Sequence, residues 1–230
     1  MSNLPFVFTL CDPGSRKVDA LKSSLYGNLF VLDTYSHRLG NLSKIFKVRD
    51  FLVSASHLRD DTILIFLDAY DVLCIRYDLA EIAKKFRASG KDLIAGAESV
   101  FCHHRPEVLS FFLDRYLEQP ARYLNSGFVI AYKWAYLSML NHIADNFVQL
   151  YMDQHEGSDQ KAVSTFMLHN SRLGLINMDL DCRQEFCHTH AYDNNPLVLE
   201  RINSYFVHVS WLALEIQANA YRRIKEHFLL

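Results

Sequence analysis

Asp68 and Asp71 stand three residues apart at the point where a strongly apolar run ends, and that pairing is the first place in this sequence to look for chemistry. The run before them, Thr62-Ile63-Leu64-Ile65-Phe66-Leu67, reads as a strand buried on both faces. In open α/β sheets ligands gather beyond the carboxyl ends of such strands. Two carboxylates across the bend where strand becomes loop can turn toward one hard cation with oxygen ligands, and Mg²⁺ or Mn²⁺ both suit that donor set. A carboxylate at the end of a buried strand needs a partner to offset its desolvation, and a cation is one. The competing reading has Asp68 capping the following turn and Asp71 merely solvated. A nucleophilic aspartate of the phosphatase kind is disfavoured, because Asp71 comes one position later than a D-x-D pattern requires, on the other side of an extended strand.

The elements that must position this pair follow an α/β rhythm. Short β-rich runs at Phe6–Leu10, Leu29–Leu32, Thr62–Leu67, Asp92–Ala95, Gly127–Ala131, Leu175–Met178 and Tyr205–Val209 read as strands. Helical periodicity recurs at Leu42–Leu58, Leu79–Phe86, Pro106–Leu117, Lys133–Leu150, Asp159–Leu168 and Leu212–His227, with Gly40-Asn41 as a start signal and Pro106 suited to a first turn. This alternation predicts an α/β fold, a mostly parallel sheet flanked by helices. No linker or repeat divides the chain, so residues 1–230 are expected to form a single unit.

Composition narrows the partners. A formal net charge of −2 offers no global positive field for a nucleic-acid backbone. No apolar stretch reaches the roughly 18 residues of a spanning helix, and Met1 to Leu10 reads as a first strand and not as a secretory signal. A cytoplasmic protein is therefore the expectation. The five cysteines, Cys11, Cys74, Cys102, Cys182 and Cys187, never form a CxxC pair and read as free thiols, with Cys102 to Cys182 as the alternative bridge.

Six segments, in order, resemble the glycosyltransferase domain of the procollagen lysyl hydroxylase/glycosyltransferase family. Phe66-Leu67-Asp68-Ala69-Tyr70-Asp71-Val72 is similar to that family's (T/A)-D-S-Y-D-V, Gly96-Ala97-Glu98 with Phe101-Cys102 to its S-A-E-x-F-C, and Tyr123-Leu124-Asn125-Ser126-Gly127-Phe128-Val129-Ile130 to its Y-L-N-S-G-x-x-I-G. Asp159-Gln160 falls where the family has D-D-Q, Asp181-Cys182-Arg183-Gln184 with Phe186 resembles its L-D-x-x-C-x-I-F-Q, and Val207-His208 resembles its I-H-G-N-G. Short motifs are individually weak, but this order spans most of the chain. The resemblance implies a GT-A-like, Rossmann-like nucleotide-sugar-binding fold, a UDP-sugar donor, and Mn²⁺ held by Asp68, Asp71 and His208. Imidazole at His208 suits Mn²⁺ better than Mg²⁺. The resemblance also implies that Tyr70 stacks on the uracil, with Thr9 beside it to bond uracil or ribose.

Other roles follow from residue type. Asn125, Ser126 and Gly127 offer an amide, a hydroxyl and close backbone approach to donor or acceptor sugar, or else form an ordinary turn. Asp159 and Gln160 open a predicted helix, where Asp159 acts as a helix cap or first-turn acid, or else as an acid holding the acceptor hydroxyl or sugar; Glu98 is a weaker candidate of the same kind. The chain departs from the family at Ser158-Asp159-Gln160, where the acidic run is thinned, and at Val209-Ser210-Trp211, which replaces Gly-Asn-Gly. It departs again at Phe101-Cys102-His103-His104-Arg105-Pro106, where the family has F-C-W-P. The expected activity is transfer of a hexose, glucose or galactose, from its UDP donor to a hydroxyl on a protein or glycan, by a domain without the oxygenase region of the collagen-modifying relatives. The alternative is a silent UDP-sugar-binding module acting through protein contacts.

Overall fold

The computed structural model describes residues 4–32, 37–147, 157–190, 199–210 and 214–228. Its strands are β1 (Phe6–Leu10), β2 (Phe30–Leu32), β3 (Ile63–Leu67), β4 (Val72–Cys74), β5 (Leu93–Glu98), β6 (Tyr123–Tyr132), β7 (Met178–Leu180), β8 (Cys187–His190) and β9 (Phe206–Val209). The helices are α1 (Asp19–Ser24), α2 (Ser43–Ser54), α3 (Leu79–Ser89), α4 (Pro106–Tyr116), α5 (Lys133–Asp145), α6 (Asp159–Leu173) and α7 (Leu214–Phe228). Six strands form the main sheet in the order β2-β1-β3-β6-β5-β7, and β4-β9-β8 form a second sheet. β6 runs antiparallel to both of its neighbours, while the β1–β2, β1–β3 and β5–β7 pairs are parallel.

The apolar run that marked β3 is buried at all five positions. Leu64 and Phe66 join one apolar cluster, with residues of α2, α4, α5 and α6, while Ile63, Ile65 and Leu67 join another, with residues of α1 and α3. Each such side chain contributes about 1.5–3 kcal/mol on burial. Period-two alternation in a strand covered on both sides thus fixes which residues meet which helix layer.

The first turns of α2 and α6 are drawn together by a close backbone pass. A 3₁₀ turn, His37–Leu42, is kinked at Gly40, whose φ of 54° and ψ of −146° suit only glycine. A Cβ on Gly40 would lie 3.1 Å from the Gly157 carbonyl oxygen, and the Leu42 N–H donates to that same oxygen at 3.0 Å. α2 starts one residue later and α6 two residues after Gly157. The Ser158 hydroxyl caps α6 by accepting the Lys161 N–H at 3.3 Å. Asp159 is therefore not the cap.

The sequence expectation placed a strand at Gly127–Ala131, but β6 runs from Tyr123 to Tyr132. Its pairing with β5 jumps from Ala95 opposite Val129 to Gly96 opposite Asn125, so Ser126, Gly127 and Phe128 bulge out of the ladder. β4 and β8 were not foreseen; both are short and lack a long apolar run. β7 lies at Met178–Leu180 and not at Leu175–Met178. α5 ends at Asp145, and the expected continuation at 148–150 lies outside the described residues, as does the expected start of the last helix at 212–213. All five cysteines are free thiols, so there is no Cys102–Cys182 bridge. Among the described residues no helix is long and apolar enough to cross a membrane.

Candidate active site

The acidic bend after β3 and the second sheet meet at one point. Val72 pairs with His208 in the β4–β9 ladder, and the Val209 N–H donates to the Asp71 carbonyl at 2.8 Å. Asp71 is thereby carried to the end of the strand that presents His208. On the other side the Asp68 N–H donates to the Gly127 carbonyl at 2.8 Å, which fixes Asp68 against the β6 bulge. Ligand atoms of Asp68, Asp71 and His208 lie within 4.8 Å of one another, although 140 residues separate Asp68 from His208 in the chain.

The donor set fits a divalent cation. His208 is 2% exposed, and its Nε2 lies 3.1 Å from Asp71 Oδ2, an ion-pair distance. Among the described residues Nε2 has the Asp71 carboxylate as its partner and Nδ1 has no hydrogen-bond partner. A buried polar atom left so is costly unless another partner claims it. The residue behind the ring is Gly127, where a Cβ would lie 2.2 Å from His208 Cε1, so only glycine leaves room for the imidazole. The charges reinforce one another. Burial works to lower the His208 pKa, but the Asp71 and Asp68 carboxylates outweigh it and raise it. Burial likewise works to raise the Asp71 pKa, and the His208 charge overrides it downward. Asp68 is held above the usual carboxylate range by burial, against the pull of Lys44.

Lys44, in the first turn of α2, completes the charge arrangement. Its Nζ lies 2.6 Å from Asp68 Oδ1 and 3.4 Å from Asp159 Oδ2. Burial opposes its charge, but Asp159 and Asp68 together hold the ammonium well above its ordinary pKa. Sequence reasoning missed Lys44 because nothing in the α2 pattern distinguishes it; only the Gly40–Gly157 pass brings it to Asp159. Gln160 turns the other way and donates from Nε2 to Glu98 Oε1. Glu98 is fully buried, and burial pushes its carboxyl up to about 6, against the bond from Gln160. Asn125 Oδ1 accepts the Gly127 N–H at 2.9 Å and so shapes the bulge.

These groups line a cleft of about 140 Å³ formed by Asn41, Lys44, Asp68, Asp71, Asn125, Ser126, Gly127, Ser158, Asp159, Gln160, His208 and Ser210. The sequence candidates Asp68, Asp71, Asn125, Ser126, Gly127, Asp159, Gln160 and His208 are thus brought together, with Glu98 one bond behind Gln160. Thr9 is not: it is fully buried and its hydroxyl donates to the Leu67 carbonyl at 2.6 Å. Tyr70 is not among the lining residues: its hydroxyl donates to Asp12 Oδ2 at 2.6 Å and accepts the Asp12 N–H at 2.7 Å, with the Lys17 ammonium 5.6 Å from the ring centroid. Ser210, missed as a site residue, has a buried hydroxyl without a partner among the described residues. Trp211 lies outside those residues. A larger cleft of about 700 Å³ shares no lining residue with this one. It lacks convergent acids, since Asp179 is engaged by Lys91 and Tyr116, and Asp181 by the N–H groups of Glu185, Phe186 and Cys187.

Comparison with known proteins decides the family. The model of the PLOD GT domain family matches residues 30–207. The chain belongs to that family. The matched span of this PLOD GT domain holds Lys44, Asp68, Asp71, Glu98 and Asp159, and ends one residue before His208. No curated protein matches it at a significant level. Among solved structures, a glycosyltransferase involved in the glycosylation of the major capsid of PBCV-1 is similar with a TM-score of 0.53 and 12% identity, over 96% of this chain and 100% of that one. At that identity the likeness speaks for the fold, which is that of a glycosyltransferase.

Proposed function

We propose that this PLOD GT domain transfers a hexose, glucose or galactose, from a UDP-sugar to a hydroxyl on a protein or glycan, with a divalent cation held by Asp68, Asp71 and His208. The observation that carries the reading is the convergence of two carboxylates and a buried imidazole on one point. Mn²⁺ suits the mixed oxygen and imidazole set. Such an ion supplies Lewis-acid neutralisation of the charge that builds on the departing diphosphate.

The remaining roles belong to the chain itself. The Lys44 ammonium, between Asp68 and Asp159, adds a fixed positive charge at the diphosphate. Ser210 offers a hydroxyl where relatives have glycine backbone, which supports a phosphate contact made by a side chain. Tyr70, anchored through Asp12, presents a ring for the uracil, and stacking of this kind contributes about 1–3 kcal/mol. Ser126 and Asn125 face the sugar, while Asp159 holds the acceptor hydroxyl near the reacting carbon. The described cleft, about 140 Å³, is smaller than the roughly 300–1,000 Å³ of small-molecule pockets. Residues 33–36, 148–156 and 211–213, adjacent to it in sequence, lie outside the described residues.

Calorimetry of UDP with and without Mn²⁺ tests the proposal. Binding is expected to require the ion, and Asp71→Ala is expected to abolish this Mn²⁺-dependent binding with an unchanged circular dichroism spectrum. Equal Mn²⁺-dependent binding in the variant refutes the metal site. Mn²⁺-dependent binding without hydrolysis or transfer of UDP-glucose or UDP-galactose would leave a binding module in place of the enzyme.

A further inference from the structure

Among the described residues lining the cleft, Lys44 is the one lysine or arginine, and it rests on a carboxylate that a bound ion would also need. Its Nζ lies 2.6 Å from Asp68 Oδ1 and 3.4 Å from Asp159 Oδ2, and the three side chains are largely shielded from water, 14%, 18% and 7% exposed. Asp68 is also one of the three residues whose ligand atoms come within 4.8 Å of one another. One carboxylate thus serves an ammonium and an acidic cluster at once. Burial works against the Lys44 charge, and the carboxylates of Asp159, Asp68 and Asp71 outweigh it, so the ammonium stays charged among all three acids. The helix does not hold it there. Lys44 is the second residue of α2, where the helix dipole disfavours a cation, and the two acids keep it in place.

This position acts in opposite senses on a cation and on an anion. Toward a free divalent ion the ammonium is a like charge, and it already occupies part of the acceptor capacity of Asp68. Charges that are partly buried act on one another far more strongly than in water. Toward a diphosphate the sign reverses. With a divalent ion present, the three lining carboxylates, the one ammonium and the two charges of the ion cancel, and the diphosphate meets a neutral cleft with two positive centres. Without Lys44 the same set keeps one net negative charge and repels the diphosphate.

We propose that Lys44 makes the cleft admit ion and diphosphate as a pair: it weakens the hold on a free divalent ion and strengthens the hold on a nucleoside diphosphate once the ion is there. The inference rests on the metal site proposed above. A lysine that only braced the fold would support both bindings, and one that only bonded phosphate would leave the free ion's affinity unchanged. A charge shared with Asp68 moves the two in opposite directions. Linkage makes the dependence mutual, so the factor by which the ion raises affinity for the diphosphate equals the factor by which the diphosphate raises affinity for the ion.

Mn²⁺ binding to the full chain, followed by electron paramagnetic resonance, and UDP binding, followed by calorimetry, test the pairing. The wild type should bind Mn²⁺ about tenfold or more tightly in saturating UDP than alone, within the usual range of coupling between sites. Lys44→Gln should bind Mn²⁺ alone about tenfold or more tightly than the wild type, and UDP at saturating Mn²⁺ about tenfold or more weakly. Lys44→Arg keeps the charge and should keep the wild-type pattern, with circular dichroism confirming the fold of each variant. Mn²⁺ affinity that is unchanged or lower in folded Lys44→Gln overturns the inference, as does a Lys44→Arg protein that behaves like Lys44→Gln. Equal Mn²⁺ affinity of the wild type with and without UDP overturns it without any variant. Asp71→Ala keeps the two proposals apart. Mn²⁺ binding that survives in Asp71→Ala refutes the metal site, whereas an Asp71-dependent ion whose affinity ignores Lys44 refutes the role of Lys44 alone.

Discussion

The tightest constraint in the cleft is the contact between Gly127 and His208, and Gly127→Ala tests it directly. The new Cβ would lie 2.2 Å from Cε1, 2.7 Å from Nδ1 and 2.9 Å from Nε2 of the imidazole. Ordinary contact begins at 3.4 Å, so the ring or the bulge must give by about 1.2 Å (3.4 − 2.2). Neither can move freely. His208 sits within β9, paired with Val72 on one side and Thr189 on the other, and the Gly127 carbonyl is held by the Asp68 N–H. Backbone conformation is not the obstacle, since Gly127 does not have a positive φ. The variant should therefore fold, with an overpacking cost of about 1–3 kcal/mol. Changes that only reorient a metal ligand lower metal affinity by roughly 10- to 100-fold, and displacing the ligand itself should cost no less. Calorimetric titration with Mn²⁺ and UDP, alongside a thermal melt, separates the two effects. Wild-type Mn²⁺ affinity in a folded Gly127→Ala protein would refute the placement of His208 as a ligand.

Other consequences can be measured independently. Lys44→Met removes the cation between Asp68 and Asp159, and breaking a buried charge pair from one side costs about 3–5 kcal/mol; Mn²⁺ should raise the variant's melting temperature more than the wild type's, and equal increments would count against the arrangement. Glu98, with its carboxyl pushed up to about 6 by burial, favours the folded state fully below its unfolded pKa near 4.5, and that contribution is lost as the pH rises through about 6. Glu98→Gln keeps the acceptor for Gln160, so its stability relative to wild type should rise across that window by roughly 2 kcal/mol; a pH-independent difference would contradict the assignment. Iodoacetamide at pH 7.5 should modify the native protein slowly and at Cys102 before Cys74 or Cys182, because Cys102 is half-buried with a thiol pushed to about 11, while those two are buried with thiols near 12. Rapid labelling of Cys182, read by peptide mass, would contradict its burial.

The strand that organises the sheet and the acidic bend beyond it were legible because they depend on local pattern: an unbroken apolar run needs two covered faces, and carboxylates at its end need partners. The direction of β6 was not legible, since periodicity reports which faces are buried and says nothing of parallel or antiparallel pairing. Thr9 shows the opposite failure. A polar residue at a strand end can serve a ligand or the fold, and full burial settled the choice by committing its hydroxyl to Leu67. Lys44 was invisible because its position follows from two glycines, Gly40 and Gly157, whose backbones touch across more than a hundred residues. Gly127 was read as a place where backbone approaches a sugar closely, and in the structure the group packed against it is the chain's own imidazole.

These particulars share a cause. Where sequence rules held, they concerned burial, which every element must satisfy by itself. Several of the features they missed line the cleft: a three-residue bulge in β6, a buried histidine beside an aspartate, and a lysine between two carboxylates. The buried charges among them are unfavourable in isolation and are offset by a charge of the opposite sign. Carboxylates supply that charge for Lys44, and an ion would supply it for the carboxylates of the triad. The cost of gathering these carboxylates falls on the folded state, and binding offsets it, so an ion held at the triad should stabilise the chain in proportion to its affinity.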